Sequence, residues 1–157
     1  MRRKDRETPE KFALAMVDKC IYASLATVGE DGYPYALPLS IVRDGRSIYF
    51  HCAPGGRKIN NLKNQPEVCL VCVGDTFAPE DEFTVKYESA IVFGRAEEVV
   101  SDEEKIQALR LLSLRHTPGN MADFDKAIKN SLGRTAVWKI EIASLTGKRN
   151  FRGPDGA

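Results

Sequence analysis

Residues 33–52 read YPYALPLSIVRDGRSIYFHC, and this stretch decides the class of fold. Residues 33–42 and 47–52 are two segments of β-forming residues, and the RDGR sequence at 43–46 supplies a turn between them. Two strands joined by so short a turn pair antiparallel. This local connection favours an antiparallel sheet over a doubly wound α/β fold, in which helices separate successive strands.

The same pattern continues on both sides of this stretch. Residues 21–28 and 67–73 are further predicted strands, and residues 83–100 form a long β segment with a bulge expected at Gly94. Residues 135–142 alternate apolar and polar side chains, as a half-buried strand does. The strands therefore predict a mainly β fold, an antiparallel barrel.

Helical segments are expected only around this barrel. Thr8 before a proline predicts a helix N-cap, and Ser101 with Glu104 predicts a capping box that begins a longer helix. A weaker helical pattern covers residues 122–130. We expect one domain over residues 1–157, a barrel with peripheral helices, and a loose tail at 149–157.

Charge and hydropathy exclude several classes of protein. The chain has 23 Lys and Arg against 22 Asp and Glu, so it lacks the positive field of a nucleic-acid-binding protein. Asp18 and Lys19 interrupt the first apolar segment, so neither a signal peptide nor a membrane span is predicted. These features indicate a cytoplasmic protein that binds neither nucleic acid nor membrane.

The four cysteines are interpreted as reduced thiols. Cys69 and Cys72 form a CxxC pattern, but residues three apart on a strand point to opposite faces of the sheet. The sequence has no second CxxC, and His51 and His116 lack the spacing of metal ligands. No metal site is predicted.

Two segments point to a ligand. In YPYALPLS, Pro34 and Pro38 each remove a donor from a β ladder, which fits either an edge strand protected from aggregation or a strand that faces a ligand. In YFHCAPGGRK a strand ends in a glycine turn and opens a short helix at Arg57 and Lys58, an arrangement suited to phosphate. The pattern is not a P-loop, so a solvated basic turn remains the alternative.

A third segment, KYESAIVFGRA, places Tyr87 and Ser89 on one face of a strand, where two hydroxyls could reach one anion; an exposed polar edge is the alternative. Taken in order, DGYPYALPLS, IYFHCAPGGRK, NQPEV, YESAIVFGRA and LTGK resemble the pyridoxamine 5'-phosphate oxidase-like FMN-binding split barrels. Within that superfamily they are most similar to the nitroimidazole-resistance flavoproteins. The resemblance covers nearly the whole chain.

This resemblance implies a homodimer with FMN at the subunit interface. The implied cofactor contacts are Leu37, Pro38, Leu39 and Ser40 along the ring; Phe50, His51, Cys52 and Ala53 at the ring and ribityl chain; Arg57 and Lys58 at the phosphate; Tyr87 and Ser89 from the β segment beside it; and Trp138, Lys148 and Arg149 from the other subunit. Some members of the superfamily use deazaflavin or haem instead, so the fold alone does not decide the cofactor.

The implied activity is that of an FMN-dependent oxidoreductase acting on a nitroimidazole or another small planar acceptor, with a reduced nicotinamide as a candidate electron donor. The C-terminal Arg- and His-containing substrate segment of the true pyridoxamine phosphate oxidases has no counterpart here, which argues against the vitamin B6 reaction. His51 is the candidate catalytic residue because histidine titrates near neutral pH, and a hydrogen-bonded structural histidine is the alternative. A protein that binds, stores or senses FMN without turnover is the competing hypothesis.

Overall fold

The computed structural model describes residues 2–150. The strands, numbered along the chain, are β1 (Glu7–Thr8), β2 (Ala23–Val28), β3 (Pro34–Leu39), β4 (Val42–Asp44), β5 (Ser47–Cys52), β6 (Glu67–Phe77), β7 (Lys86–Glu98) and β8 (Ala136–Arg149). The α-helices are α1 (Glu10–Lys19), α2 (Arg57–Asn64), α3 (Asp102–His116) and α4 (Phe124–Ser131), with 3-10 turns at Lys4–Arg6, Pro118–Asp123 and Leu132–Arg134.

The strands form one antiparallel sheet in the order β3-β2-β6-β7-β8-β5-β4, and β1 adds to β8. The edge strands β3 and β4 follow each other in the chain but are not paired with each other. The sheet is therefore a split rather than a closed barrel. The predicted antiparallel, mainly β fold with peripheral helices is confirmed.

The core lies on the concave face of this sheet, because alternate side chains along each central strand point inward. Leu25 on β2, Leu70 on β6, Val92 on β7 and Ile140 on β8 are each fully buried. Helix α1 contributes Ala13, Met16 and Val17 to the same core, and α2 contributes Ile59 and Leu62. A second, smaller cluster of Val99, Ala108 and Val137 lies on the outer face of β8 beneath α3.

The predicted strand at residues 33–42 is wrong in one respect, because it is broken at Ser40 and Ile41. Ile41 is fully buried, and its carbonyl oxygen lies 2.8 Å from Nε2 of His116. The chain therefore crosses from one edge of the sheet to the other at this point, and β4 pairs with β5. Two consecutive buried residues, Ile41 and Val42, after an exposed Ser40 break the alternation of a strand, and the sequence pattern alone does not show this.

The N-cap of the first helix also differs from the prediction. Pro9 is the N-cap of α1, while Thr8 belongs to β1 and pairs with Gly147. A Cβ at Gly147 would lie 2.3 Å from Thr8 Oγ1, so this pairing requires glycine. The predicted cap of α3 is confirmed, since Ser101 Oγ accepts a hydrogen bond from the Glu104 amide at 3.4 Å.

Strands β6 and β8 extend beyond their predicted C-terminal ends, whereas β7 is shorter than predicted. The bulge expected at Gly94 is confirmed by a register shift between Phe93 and Gly94, where an added Cβ would lie 2.4 Å from the Glu141 carbonyl oxygen. Strand β8 continues to Arg149, which pairs with Glu88, so that the predicted loose tail does not begin at residue 149. The rest of the predicted tail, residues 151–157, lies outside the described part of the chain.

Two expectations concern cysteines and membranes. Cys72 is fully buried and Cys69 is half-buried on the opposite face of β6, which confirms that this CxxC cannot act as one dithiol. Between residues 2 and 150 no helix combines the length and the apolar character needed to cross a bilayer.

Candidate functional site

Strand β5 divides its side chains between the core and a surface cleft. Ile48 and Phe50 point inward and are fully buried, whereas Tyr49 is half-buried on the outer face and His51 is exposed there. Cys52 again points inward and is half-buried. The residues expected at the ring and ribityl chain therefore do not share one surface: His51 and the exposed Ala53 are accessible to a ligand, while Phe50 is a core residue.

Strand β3 also divides its side chains between the core and the surface. Leu37 and Leu39 are half-buried and pack against the core, whereas Pro38 and Ser40 are exposed on the opposite face. Both prolines lie on an edge strand, since β3 has a partner on one side only. Of the four residues expected along the ring, Pro38 on β3 and Ser40 directly after it are the two that face outward.

Ser40 and His51 come together at a cleft of about 360 Å³ on the outer face of β5. Helices α3 and α4 form its other walls. The lining residues are Ser40, His51, Leu109, Leu112, Ser113, His116, Thr117, Phe124, Ala127, Ile128, Ser131 and Thr135. We refer to this site as the histidine cleft, because both histidines of the chain line it.

The two imidazoles differ in how they are held. Because the Ile41 carbonyl can only accept, His116 Nε2 carries the hydrogen of that 2.8 Å bond. His51 forms no hydrogen bond within residues 2–150. Partial desolvation by the cleft walls lowers the pKa of His51 below its ordinary 6.5, and the nearby positive charge of Lys58 lowers it further. The imidazole of His51 is therefore neutral at pH 7.

The glycine turn before α2 has the geometry of an anion site. Gly56 is the N-cap at φ 109°, a backbone conformation that glycine adopts without strain, and the first N–H groups of α2 have no partner inside the helix. The Arg57 side chain is 52% exposed, with its guanidinium 3.8 Å from an Asp31 carboxylate oxygen and 5.0 Å from the centre of the Tyr35 ring. So loose an ion pair between exposed groups stabilises little and leaves Arg57 able to bind a ligand.

The Lys58 side chain has different surroundings from that of Arg57. Its ammonium is 5.3 Å from the centre of the Phe50 ring, at the mouth of the barrel. It also lies near the Cys52 thiol, whose pKa is raised by burial and partly lowered again by Lys58. Arg57 and Lys58 are adjacent in sequence, yet Arg57 faces solvent and Lys58 is half-buried.

Tyr87, Ser89, Lys148 and Arg149 form a separate group at the far end of β7 and β8. Ser89 pairs with Lys148 in register, and the Lys148 ammonium lies 5.4 Å from the centre of the Tyr87 ring. Hydrogen bonds from Lys148 and Arg6 lower the pKa of Tyr87. Arg149 lies over the ring of Phe12 at 5.3 Å.

The expectation that Tyr87 and Ser89 lie beside the ring-binding strand is wrong within one chain, because β2 and β6 separate β7 from β3. Trp138 is also misplaced by the prediction. It is 3% exposed, packs in the core of its own barrel, and its buried Nε1 has no hydrogen-bond partner within the described residues.

A further surface was not anticipated from the sequence. The outer face of β2, β6 and β7 exposes large apolar side chains, with Val28 41%, Val73 49%, Ile91 39% and Phe93 54% exposed. Ser89 lies on the same face at its edge, two residues before Ile91. The alternation of β7 predicts which residues face outward but not that this face lacks a covering helix.

The walls of the histidine cleft were likewise missed. From the sequence, His116 is excluded as a metal ligand, and the helical segments are expected only around the barrel. Leu112 and Phe124 do bury most of their surface, but they also line the cleft. The signal in the sequence was the second apolar helix directly after RHTPG, which returns the chain over His116.

Comparison with known proteins agrees with this architecture. Residues 11–149 match the family model described as pyridoxamine 5'-phosphate oxidase. No curated protein sequence matches the chain significantly.

Several solved structures share the fold. A candidate 5-nitroimidazole antibiotic resistance protein from Bacteroides thetaiotaomicron aligns with a TM-score of 0.76 and 22% identity, over 90% of this chain and 84% of its own. An FAD- and haem-binding protein from Mycobacterium smegmatis aligns with a TM-score of 0.77 and 24% identity, over 96% and 75%. A haem storage protein from Vibrio cholerae aligns with a TM-score of 0.66 and 17% identity, over 90% and 92%.

At these identities the solved structures support the fold, and the family model covers most of the sequence. With its split antiparallel sheet, its glycine turn before α2 and this match, the chain belongs to the pyridoxamine 5'-phosphate oxidase family.

Proposed function

We propose that the protein binds FMN and acts as an oxidoreductase toward a small planar acceptor. The glycine turn at α2 is the observation that carries the proposal. A Cβ placed on Gly55 or Gly56 would meet no atom within 4 Å, so the space above the turn is open to an approaching phosphate. The positive end of α2 and the exposed Arg57 both favour a dianion there.

The residues on the cleft side of this turn fit the remainder of the cofactor. Ala53 and His51 are exposed just before this turn in the chain, Pro38 and Ser40 are exposed at the end of β3, and His51 and Ser40 both line the histidine cleft. Among the described residues neither Asp nor Glu lines the histidine cleft, so a planar acceptor bound there beside the flavin would meet no carboxylate. Phe50 and Trp138 are omitted from the proposed contacts, because both are buried in the barrel.

The cofactor is proposed to lie between two copies of the chain. Exposed apolar residues such as Ile91 and Phe93 continue across three neighbouring strands, and such a patch on a soluble protein is typical of an interaction surface. Ser89 and Lys148 lie at the edge of this patch on β7 and β8, and β2 and β6 separate β7 from β3, the strand whose Tyr35 ring lies beside Arg57. A two-fold dimer would let them approach the partner's cofactor, and Tyr87 and Arg149 belong to the same group.

When bound, FMN supplies hydride transfer, accepting it from a donor such as a reduced nicotinamide and passing it to the acceptor. The protein's own contribution is positioning and a hydrogen-bond donor. The His51 imidazole is neutral and has no internal partner, so its N–H can donate a hydrogen bond to a polar atom of the acceptor on which negative charge develops. The apolar walls of α3 and α4 limit the access of water to that contact.

The proposal is tested by reconstituting the protein with FMN, removing excess flavin and reducing it anaerobically. Stopped-flow mixing with a nitroimidazole and with other nitroaromatic compounds should then show oxidation faster than that of free reduced FMN under the same conditions. Bound FMN that is never oxidised faster than free flavin would support the competing hypothesis, a protein that stores or senses FMN. Failure to bind FMN at all would refute both.

A further inference from the structure

The histidine cleft contains two distinct sets of polar groups. Three of its five hydroxyls donate to backbone carbonyls of their own turns: Thr117 to Ser113 at 3.4 Å, Ser131 to Ala127 at 2.7 Å and Thr135 to Ser131 at 2.9 Å. These donors are committed to the ends of α3 and α4. Among the described residues the Ser40 and Ser113 hydroxyls, like the His51 ring, form no hydrogen bond.

The tautomer of His116 determines what it offers a ligand. Because its Nε2–H is donated to the Ile41 carbonyl, the neutral ring has its lone pair on Nδ1. The cleft therefore presents donors from Ser40, Ser113 and His51, and a nitrogen acceptor from His116. A ligand that satisfies both must carry an acceptor and also an N–H or O–H donor.

Charge in the cleft is equally restrictive. Its lining contains no Lys, Arg, Asp or Glu side chain, and the last turn of α3 places a negative dipole end at His116 and Thr117. Burying a phosphate or carboxylate there would cost much of its hydration without an opposite charge in contact. Two cations lie near the cleft without lining it: Lys58 lies over Phe50, and Arg110 lies over the Phe124 ring at 4.2 Å and pairs with Asp125.

The apolar wall and the volume of the histidine cleft limit the size of its ligand. Leu109, Leu112, Phe124 and Ile128 form the apolar wall. A volume of about 360 Å³ is near the lower end for small-molecule pockets, which suits one aromatic ring.

From this arrangement we propose that the histidine cleft is a binding site for an uncharged, single-ring aromatic molecule that carries a hydrogen-bond donor, held between His51 and His116. The site excludes phosphorylated substrates of the kind for which the family is named. The inference rests on the proposed function only in taking this ring as the electron acceptor; binding to the cleft is independent of flavin.

The test uses tag-free protein without added flavin, because its histidines are then only His51 and His116 and give two sets of imidazole NMR signals. Titration with 4-hydroxyacetophenone at about pH 7 should shift both sets in a saturable way. Phenyl phosphate and 4-hydroxybenzoate should bind at least about tenfold more weakly, because neither finds an opposite charge. If neither histidine responds to 4-hydroxyacetophenone, or if phenyl phosphate binds as well, the proposal is wrong.

Two variants make the test specific. His116→Gln keeps a donor for the Ile41 carbonyl but replaces the Nδ1 acceptor with an amide oxygen in a different position, so it should weaken 4-hydroxyacetophenone binding about twofold to tenfold and leave 4-methoxyacetophenone, which lacks the donor, unaffected. Equal weakening of both ligands would contradict the assigned role of His116.

Ala127→Phe should fill the cleft and abolish binding, while Lys126→Phe adds the same side chain at an exposed neighbour outside the lining. Binding that survives Ala127→Phe would place the ligand elsewhere. Because these titrations need no FMN, failure of the proposed flavin chemistry would leave their result interpretable. Competition by saturating FMN would show that the flavin ring itself occupies the cleft and would overturn the assignment.

Discussion

The two faces of strand β5 show how this barrel separates stability from chemistry. Ile48 and Phe50 face inward and are fully buried, while His51 faces outward into a cleft covered by α3 and α4. Adjacent residues in one strand thus have opposite surroundings because successive side chains alternate. A substitution on the inner face should change folding, and one on the outer face should change ligand binding or turnover.

The largest effect is expected on the outer face. His51→Ala should lower the rate at which a planar acceptor oxidises the reduced, FMN-loaded protein by about 10²–10³-fold, the usual cost of removing a hydrogen-bond donor to developing negative charge. Because His51 is exposed and forms no hydrogen bond within residues 2–150, the free energy of unfolding should change little. Single-turnover stopped-flow measurement gives the rate per bound flavin.

Tyr49→Phe is the control for this variant, because it removes another polar outer-face group, the hydroxyl that donates to Glu104 at 3.1 Å outside the cleft lining. It should leave the rate unchanged. A His51→Ala protein that reacts as fast as wild type would remove His51 from the mechanism.

On the inner face Phe50→Ala should destabilise the fold by about 3–5 kcal/mol, the cost of leaving a large cavity in a packed core. Urea unfolding at equilibrium measures it. For whatever fraction remains folded, the rate per bound flavin should match wild type. A loss of rate without a loss of stability would mean that Phe50 contacts the cofactor after all.

At the glycine turn the expected effect is smaller. Arg57→Ala should weaken FMN binding by about 1.5–3 kcal/mol, or about tenfold to a hundredfold, through loss of a charge-assisted hydrogen bond to the phosphate. Quenching of flavin fluorescence measures the affinity. Arg95→Ala is the matched control, because Arg95 is equally exposed but pairs with Glu67 away from the turn.

Trp138→Phe tests whether the buried Trp138 contacts the cofactor. It should leave the FMN affinity unaltered, because Trp138 is buried in its own barrel.

If Arg95→Ala weakens FMN binding as much as Arg57→Ala does, the effect is one of overall charge and not of the proposed site.

The smallest expected effect is a pH dependence of stability. Burial, Lys58 and His116 depress the pKa of His51 in the folded chain below the 6.5 of an unfolded histidine, so near and below that pH the unfolded state binds more protons. This contribution to stability is complete above about pH 6.5 and is lost as pH falls through the folded pKa. The wild-type Tm should therefore drop more than the Tm of His51→Gln between about pH 7.5 and about pH 5.5. Parallel Tm curves would show that His51 is not desolvated.

Much of this architecture could be predicted from local patterns. The RDGR turn, the Gly94 bulge and the Ser101 cap depend on neighbouring residues, and the structure confirms each of them. What could not be predicted depends on contacts distant in sequence. The break at Ile41 exists because a fully buried isoleucine bridges two sheet edges and its carbonyl meets His116, 75 residues away.

The candidate site likewise contains features that local sequence predicts and features that depend on distant contacts. Arg57 at a glycine turn could be identified from the motif, because the chemistry and the local backbone are contiguous. The burial of Trp138 and Phe50 could not be predicted, because a motif does not state which face of a strand is covered. The proximity of His116 to His51 was missed because it depends on α3 and α4 folding back over β5.

Sedimentation velocity followed at a visible wavelength absorbed by flavin tests most directly the claim that FMN lies between two copies. FMN-loaded protein should carry its flavin absorbance in a species of about twice the 17.5 kDa chain mass, and added FMN should shift the population toward that species because ligand and dimer formation are linked. Flavin absorbance that sediments tightly bound to a single chain, or that does not sediment with the protein at all, would contradict the account.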